Sequence, residues 1–270
     1  MIELFENSIK TNDRKSSKGN QFKWMDNNIW YKADSLGYEG LAEYVVSHLL
    51  LKTSLDKNEF VLYNPVQIRY KTKIFKGASS VNFLNDNWQI ITLERLFLNK
   101  TGKSLNNSIW TIRDPKERLK FIVSSVENLT GLKDFGKYMN KIITIDAVFL
   151  NEDRHTHNLA VLMNDKGEFD YCPIFDNGAC LLSDTAMEYP LEEDVYSLID
   201  SVKGKTCSSN LKEQMDVSEI LYGVNIKLEF TKKDVEDILD NDIASIYSDE
   251  ERSRVKKIIF GQMRKYPYLF

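Results

Sequence analysis

Between Asn151 and Gly178 the chain reads N-E-D-R-H-T-H-N-L-A-V-L, then a short turn-containing stretch, then P-I-F-D-N-G. Three acceptor side chains stand in it: Asp153, Asn158 five residues on, and Asp176, 23 residues after Asp153. That order suits phosphoryl transfer, a chemistry governed by positioning and charge neutralisation rather than by a covalent protein intermediate. A carboxylate takes the acceptor hydroxyl's proton, while an amide oxygen and a second carboxylate hold the Mg²⁺ of a nucleoside triphosphate. Asp153 is therefore the expected base or hydroxyl-orienting group, with Asn158 and Asp176 as metal ligands. Arg154 reads as a phosphate-positioning or loop-bracing residue, and His155 as a bracing hydrogen-bonder.

Two other readings of the stretch stand beside this one. It is also a charged surface turn, and His155 and His157, with Asp153 or Asp176, have the donor types of a Zn, Mn or Fe hydrolase. The remaining histidine, His48, lies far away in sequence, and no G-x-S-x-G elbow or Cys–His pairing offers a nucleophile.

Upstream, Lys32 ends the run I-W-Y-K, whose alternation turns its ammonium to the face opposite Tyr31. A strand lysine on the α- and β-phosphates, held by a helix glutamate, is a recurrent charge clamp for nucleotides. Glu43 is the expected partner; Glu39, at the helix entrance, competes with it. Taken alone, each is an ordinary surface charge. Ser16, Ser17, Lys18, Gly19, Asn20 and Gln21 form a glycine-containing loop ahead of Lys32 that can offer N–H groups to phosphate. It carries neither G-x-G-x-x-G nor G-x-x-x-x-G-K, and alone it reads as a polar turn.

Elements able to position these groups follow from the periodicities. Strands are expected at Ile2–Phe5, Phe22–Met25, Ile29–Ala33, Phe60–Tyr70 and Thr72–Phe75, with Pro65 marking an edge or a bulge. Apolar residues at helical spacing predict a helix over Gly40–Lys52, then helices over Thr92–Asn99, Pro115–Leu129 and Lys133–Leu150. Pro115 sits well in a first turn. A hairpin across 164–167 and helices near Glu192–Asp200, Ser208–Tyr222, Thr231–Asp240 and Asp249–Tyr266 complete the chain. The pattern is α+β, with a strand-rich lobe over residues 1–80 and a mainly helical lobe over 81–270.

The totals agree with a globular protein. The 270 residues are 42% apolar and 28% charged, and the net charge of −4 gives no general attraction to nucleic acid or anionic lipid. Three cysteines without a C-x-x-C read as ordinary thiols in a reducing compartment. The acidic N-terminus is no secretion signal and no stretch suits a bilayer, so a soluble cytoplasmic protein with no membrane partner is expected.

The segments S-S-K-G-N-Q-F-K, I-W-Y-K, G-L-A-E-Y, N-E-D-R-H-T-H-N and P-I-F-D-N-G together resemble the HipA-like serine/threonine kinases. The resemblance runs from about Ser16 to Gly178, and its D-R-H-x-x-N step followed by a metal Asp is its most specific part. It implies a two-lobed protein-kinase-like fold, ATP and Mg²⁺ as cofactors, and a protein substrate with a Ser or Thr acceptor. Carried over, Asp153 is the catalytic Asp, Asn158 and Asp176 the Mg²⁺ ligands, Lys32 the phosphate lysine and Ser16–Gln21 the phosphate-covering loop. Autophosphorylation in that loop, at Ser16 or Ser17, would repel ATP and switch the enzyme off. Fifteen residues precede Ser16, so the compact form without the family's extra N-terminal subdomain is expected. Family roles include the toxin of a toxin–antitoxin pair with an antitoxin-like partner, but compact relatives need not be toxins. A lipid or small-molecule kinase with the same apparatus, and a pseudokinase-like binding module, are the alternatives.

Overall fold

A computed structural model of the chain describes residues 1–4 and 21–270. In chain order, β1 (Ile2–Leu4), β2 (Lys23–Asp26) and β3 (Ile29–Ala33) precede α1 (Glu39–Leu50). Strands β4 (Asn64–Tyr70), β5 (Lys73–Val81) and β6 (Trp88–Thr92) lead into α2 (Leu93–Thr101), α3 (Leu105–Thr111), α4 (Pro115–Thr130) and α5 (Phe135–Phe149). The hairpin β7 (Ala160–Asn164) and β8 (Phe169–Tyr171) follows. After it come α6 (Val195–Ser201), α7 (Leu211–Tyr222), α8 (Lys232–Leu239) and α9 (Asp249–Lys265). Two compact units result, one of Met1–Phe83, Phe175–Ser201 and Leu228–Phe270, the other of Leu84–Ile174 and Val202–Lys227.

The first unit carries a five-stranded sheet in the order β1-β4-β5-β3-β2, antiparallel except for the β1–β4 pair. Asn27 and Asn28, both at positive φ, close the β2–β3 hairpin, as a two-residue turn matched to strand twist requires. Leu4, Trp24, Tyr31, Ala33 and Ile68 form one buried cluster. Val61, Tyr63 and Ala78 form another, and Ala78 lies directly across the β3–β5 ladder from Lys32. Strand alternation thus sends Lys32 away from the Tyr31 cluster.

Two expectations need correction here. Residues 60–63 lie before the strand, which starts at Asn64. Nor is β4 an edge strand, since it runs between β1 and β5. Proline is tolerated because the three-residue β1 pairs only with Ile68, Arg69 and Tyr70, leaving Pro65 beyond its reach.

Helix α1 is buried on nearly every side, including the charged Glu43. Its close approach to the sheet depends on Gly40, and the pairing of β3 with β5 depends on Gly77. A Cβ at Gly40 would stand 2.5 Å from the Gly77 carbonyl carbon, and one at Gly77 would stand 2.0 Å from Lys32 O. Asp34, just past β3, fastens the helix start: it accepts Gly40 N at 2.6 Å and the Tyr247 hydroxyl at 2.8 Å. Burial, reinforced by the neighbouring Glu39, pushes Asp34 up to about 8, against the lowering pull of its hydrogen bonds and Lys76.

In the second unit β6, β7 and β8 form an antiparallel sheet. Neither β6 nor α3 was expected from the sequence. Strand β6 exists because Ile90 and Ile91 find Leu162 and Val161 across the ladder, a partner remote in sequence. Helix α3 has only seven residues, started by the Ser104 hydroxyl accepting Asn107 N. Pro115 does occupy the first turn of α4, behind the Asp114 cap. Helix α5 is buried over most of its length and packs against α4 and α7, where Asn140 donates to Ser218 Oγ at 2.9 Å.

Asp34 yields a pH prediction. A carboxyl whose folded-state pKa is raised to about 8 holds a proton that the unfolded chain has released, so its contribution to stability declines as pH rises. Relative to Asp34→Asn, the wild-type chain should lose up to about 1.4 kcal/mol per pH unit between about pH 5 and 8, then level off. Urea denaturation of both proteins across that range measures the difference; parallel curves would refute it.

Candidate functional site

In the first unit three charged side chains converge. Lys32 comes from β3, Glu43 from the second turn of α1 and Asp176 from the segment after β8. The Lys32 ammonium lies 2.7 Å from Glu43 Oε1 and 2.8 Å from Asp176 Oδ1, with the Tyr63 ring 5.1 Å away. Glu43 uses its other oxygen to accept Asn177 N at 2.8 Å, which ties the helix to the chain beside Asp176. Burial by itself would lower the Lys32 pKa, but Asp176 and Glu43 outweigh it and hold the pKa well above that of a free lysine. The ammonium is therefore permanently charged.

Asp176 is the most open of the three, its side chain 27% exposed against 2% for Glu43. Its backbone has φ +62°, a left-handed conformation that Asp tolerates better than most residues. Glu39, the competing partner for Lys32, is otherwise engaged: its carboxylate accepts the backbone N–H groups of Ser35, Leu36 and Gly37.

In the second unit the Asp153 loop begins where α5 ends. Leu150 turns the chain at φ +59°, and Asn151 N donates to Asp146 O at 2.8 Å. Asn151 Oδ1 then accepts Asp153 N at 3.0 Å. Beneath the loop lies a buried ion pair, Arg154 Nε to Asp146 Oδ1 at 3.1 Å and Oδ2 at 3.2 Å. Burial pushes Asp146 up to about 6 and the Arg154 guanidinium opposes that rise, so the pair is ionised at neutral pH. The other end of the loop is held by Thr156, whose hydroxyl donates to Glu94 Oε2 at 2.9 Å. Arg154 is thus a brace whose guanidinium is spent inside the fold.

Asn158 Nδ2 donates to Asp153 O at 2.9 Å and to Asp153 Oδ2 at 3.3 Å. With the amide nitrogen so engaged, its oxygen is the atom left for a cation. Lys205 brings a positive charge to Asp153, its Nζ 2.8 Å from Oδ1. His155 Nε2 is farther, at 3.8 Å, and burial lowers its pKa, so this imidazole is neutral near pH 7.

A carboxylate at Asp176 and an amide oxygen at Asn158 are hard oxygen donors of the kind Mg²⁺ takes. Among the described residues no cluster of three His, Cys, Asp or Glu side chains could hold a metal unaided.

No family model and no curated protein sequence matches the chain. Its fold is similar to that in the crystal structure of the Helicobacter pylori proinflammatory kinase CtkA, with a TM-score of 0.65. The match covers 98% of this chain and 95% of that one at 17% identity. The chain has a kinase-like fold. At that identity the likeness concerns architecture: α+β, a strand-rich part and a helical part.

Of the residues singled out in the sequence, Lys32, Glu43 and Asp176 meet in one unit, and Asp153 and Asn158 meet in the other. Ser16, Ser17, Lys18, Gly19 and Asn20 lie outside the described residues, and Gln21 is half-buried just ahead of β2. Sequence reasoning missed Lys205 and Asp146. Nothing in V-K-G-K-T-C-S-S-N marks one lysine over another, whereas an Asp inside the apolar run of α5 was a legible sign of a buried partner. Among the described residues, no helix is long and apolar enough to cross a membrane.

The buried pair under the Asp153 loop predicts a stability pattern. Arg154→Met alone strands a buried carboxylate and should cost roughly 3–5 kcal/mol. Adding Asp146→Asn should recover a substantial part of that loss, and urea denaturation of the single and double variants gives the coupling.

Proposed function

We propose that the chain is an ATP- and Mg²⁺-dependent phosphotransferase, a HipA-like protein kinase acting on Ser or Thr hydroxyls. The observation that carries this reading is the single ammonium of Lys32 held at once by Glu43 and Asp176, within a kinase-like fold. Those residues lie 11 and 144 positions away from Lys32, and the resemblance assigns Lys32 to nucleotide phosphate and Asp176 to metal.

The proposed division of labour follows the side chains. Lys32 pairs the nucleotide phosphates while Glu43 keeps its ammonium aimed. Asp153 orients the acceptor hydroxyl and takes its proton. Asn158 and Asp176 each offer an oxygen to Mg²⁺, which when bound neutralises charge on the transferring phosphate. Ser16 to Gln21 cover the phosphates, with Ser16 or Ser17 as the site of autophosphorylation. Residues 1–80 take the part of the N-lobe and 81–270 that of the C-lobe. A toxin role predicts growth arrest on expression in the cytoplasm, relieved by Asp176→Ala and by an antitoxin-like partner.

Incubation with γ-labelled ATP and Mg²⁺ should label the chain itself at Ser16 or Ser17. Asp153→Ala should reduce transfer by roughly 10²–10⁴-fold. Lys32→Met should raise the KM for ATP as well as lower kcat, since it removes a contact made before and during transfer. Nucleotide binding with no transfer to the chain or to any hydroxyl substrate would leave a binding module and overturn the kinase reading. Transfer to a lipid or small molecule in preference to protein would move the substrate class.

A further inference from the structure

Lys205 belongs to none of the motifs that mark the Asp153 loop, yet its ammonium sits 2.8 Å from Asp153 Oδ1. The backbone of the segment that carries it is firmly fixed. Lys203 and Asn210 form a bridge, and Gly204 N donates to Ser209 O at 3.0 Å, which closes residues 203–210 into a loop. Inside the loop, one oxygen of the buried Gln214 from α7 accepts the N–H groups of Thr206 at 2.9 Å, Cys207 at 2.8 Å and Ser208 at 3.3 Å. A Cβ at Gly204 would stand 2.3 Å from Gln214 Nε2, so the loop lies flat on this anchor. The Thr206 hydroxyl donates to Arg154 O at 2.8 Å, fastening the segment to the residue beside Asp153.

An exposed ion pair contributes about 0–1 kcal/mol and does not account for such a fixture. The buried bonds hold the backbone of the loop, while the Lys205 side chain stays 40% exposed on a flexible stem. What the fixture delivers to the Asp153 side is a movable point charge. Lysine suits that task, being a compact ammonium without the fixed fork of arginine.

Resting on the phosphotransferase reading, we infer that Lys205 is a further phosphate-contacting residue of the reaction. Its ammonium pairs with Asp153 until substrates bind, then moves to an oxygen of the transferring γ-phosphoryl group and frees the carboxylate for the acceptor hydroxyl. The bond from the β–γ bridging oxygen to phosphorus breaks and its electron pair leaves with ADP. The acceptor oxygen bonds to phosphorus, and its proton passes to Asp153. Lys205 stays protonated throughout and supplies charge where it develops.

The test compares wild type, Lys205→Met, Lys205→Arg and Asp153→Ala as full-length chains, with γ-labelled ATP, Mg²⁺ and dephosphorylated casein as a general Ser/Thr acceptor. Lys205→Met should lower kcat roughly 100-fold, without a comparable change in the KM for ATP or in Tm. Lys205→Arg, which keeps the charge, should recover part of that loss. Wild-type transfer that is lost in Asp153→Ala but retained in Lys205→Met overturns the role of Lys205 alone. So does a loss in Lys205→Met matched by a fall in Tm and not relieved by arginine. Absence of transfer by wild type to casein or to the chain itself overturns the kinase reading, and this inference with it.

Discussion

A buried ammonium shared by two carboxylates is the interaction on which the first unit is organised. An unpaired charge in that position would carry a desolvation penalty of several kcal/mol, and so would Glu43, which is almost fully enclosed. Each therefore requires the other, and Asp176 completes the balance. The requirement reaches into the backbone. Gly40 lets α1 come close to the sheet, which puts Glu43 within bonding distance of Lys32 on β3, and its second oxygen captures Asn177 N. Charge complementarity and glycine packing thus specify the same arrangement from two sides.

The second unit solves a comparable problem with a different device. A loop of polar residues has to leave the end of a buried helix without fraying. The Arg154–Asp146 pair roots it, Leu150 accepts a left-handed backbone to turn it, and Glu94 holds its far end through Thr156. A leucine at positive φ carries a strain of order 1–2 kcal/mol, tolerable where the surrounding packing imposes it. Asp153 and Asn158 then rest on a braced frame, joined by the Asn158 amide bonds to Asp153.

Much of this was legible residue by residue. Period-3.6 apolar faces located α1, α4 and α5 to within a few residues, and two-residue alternation located β3 and the face of Lys32. The N-E-D-R-H-T-H-N and P-I-F-D-N-G runs marked the residues that lie at the two clusters. The strand β6 was hidden because its reason for being a strand, the pairing with β7, is remote in sequence. Pro65 looked like an edge signal because periodicity cannot reveal how short the neighbouring strand is. Lys205 was invisible for a related reason: its loop has no repeat, and its position comes from Gln214 and Thr206.

By itself, then, the sequence determined which residue types stand in which order: a strand lysine, a helix glutamate and an ordered set of oxygen donors. Those follow from local periodicity and spacing, which are properties of neighbouring residues. The tertiary structure alone decided the pairings. It joined Asp176 to the Lys32–Glu43 pair, buried the Arg154 guanidinium as a brace, and brought Lys205 to Asp153. Partner choice depends on burial and desolvation, which exist only once distant segments have been packed together.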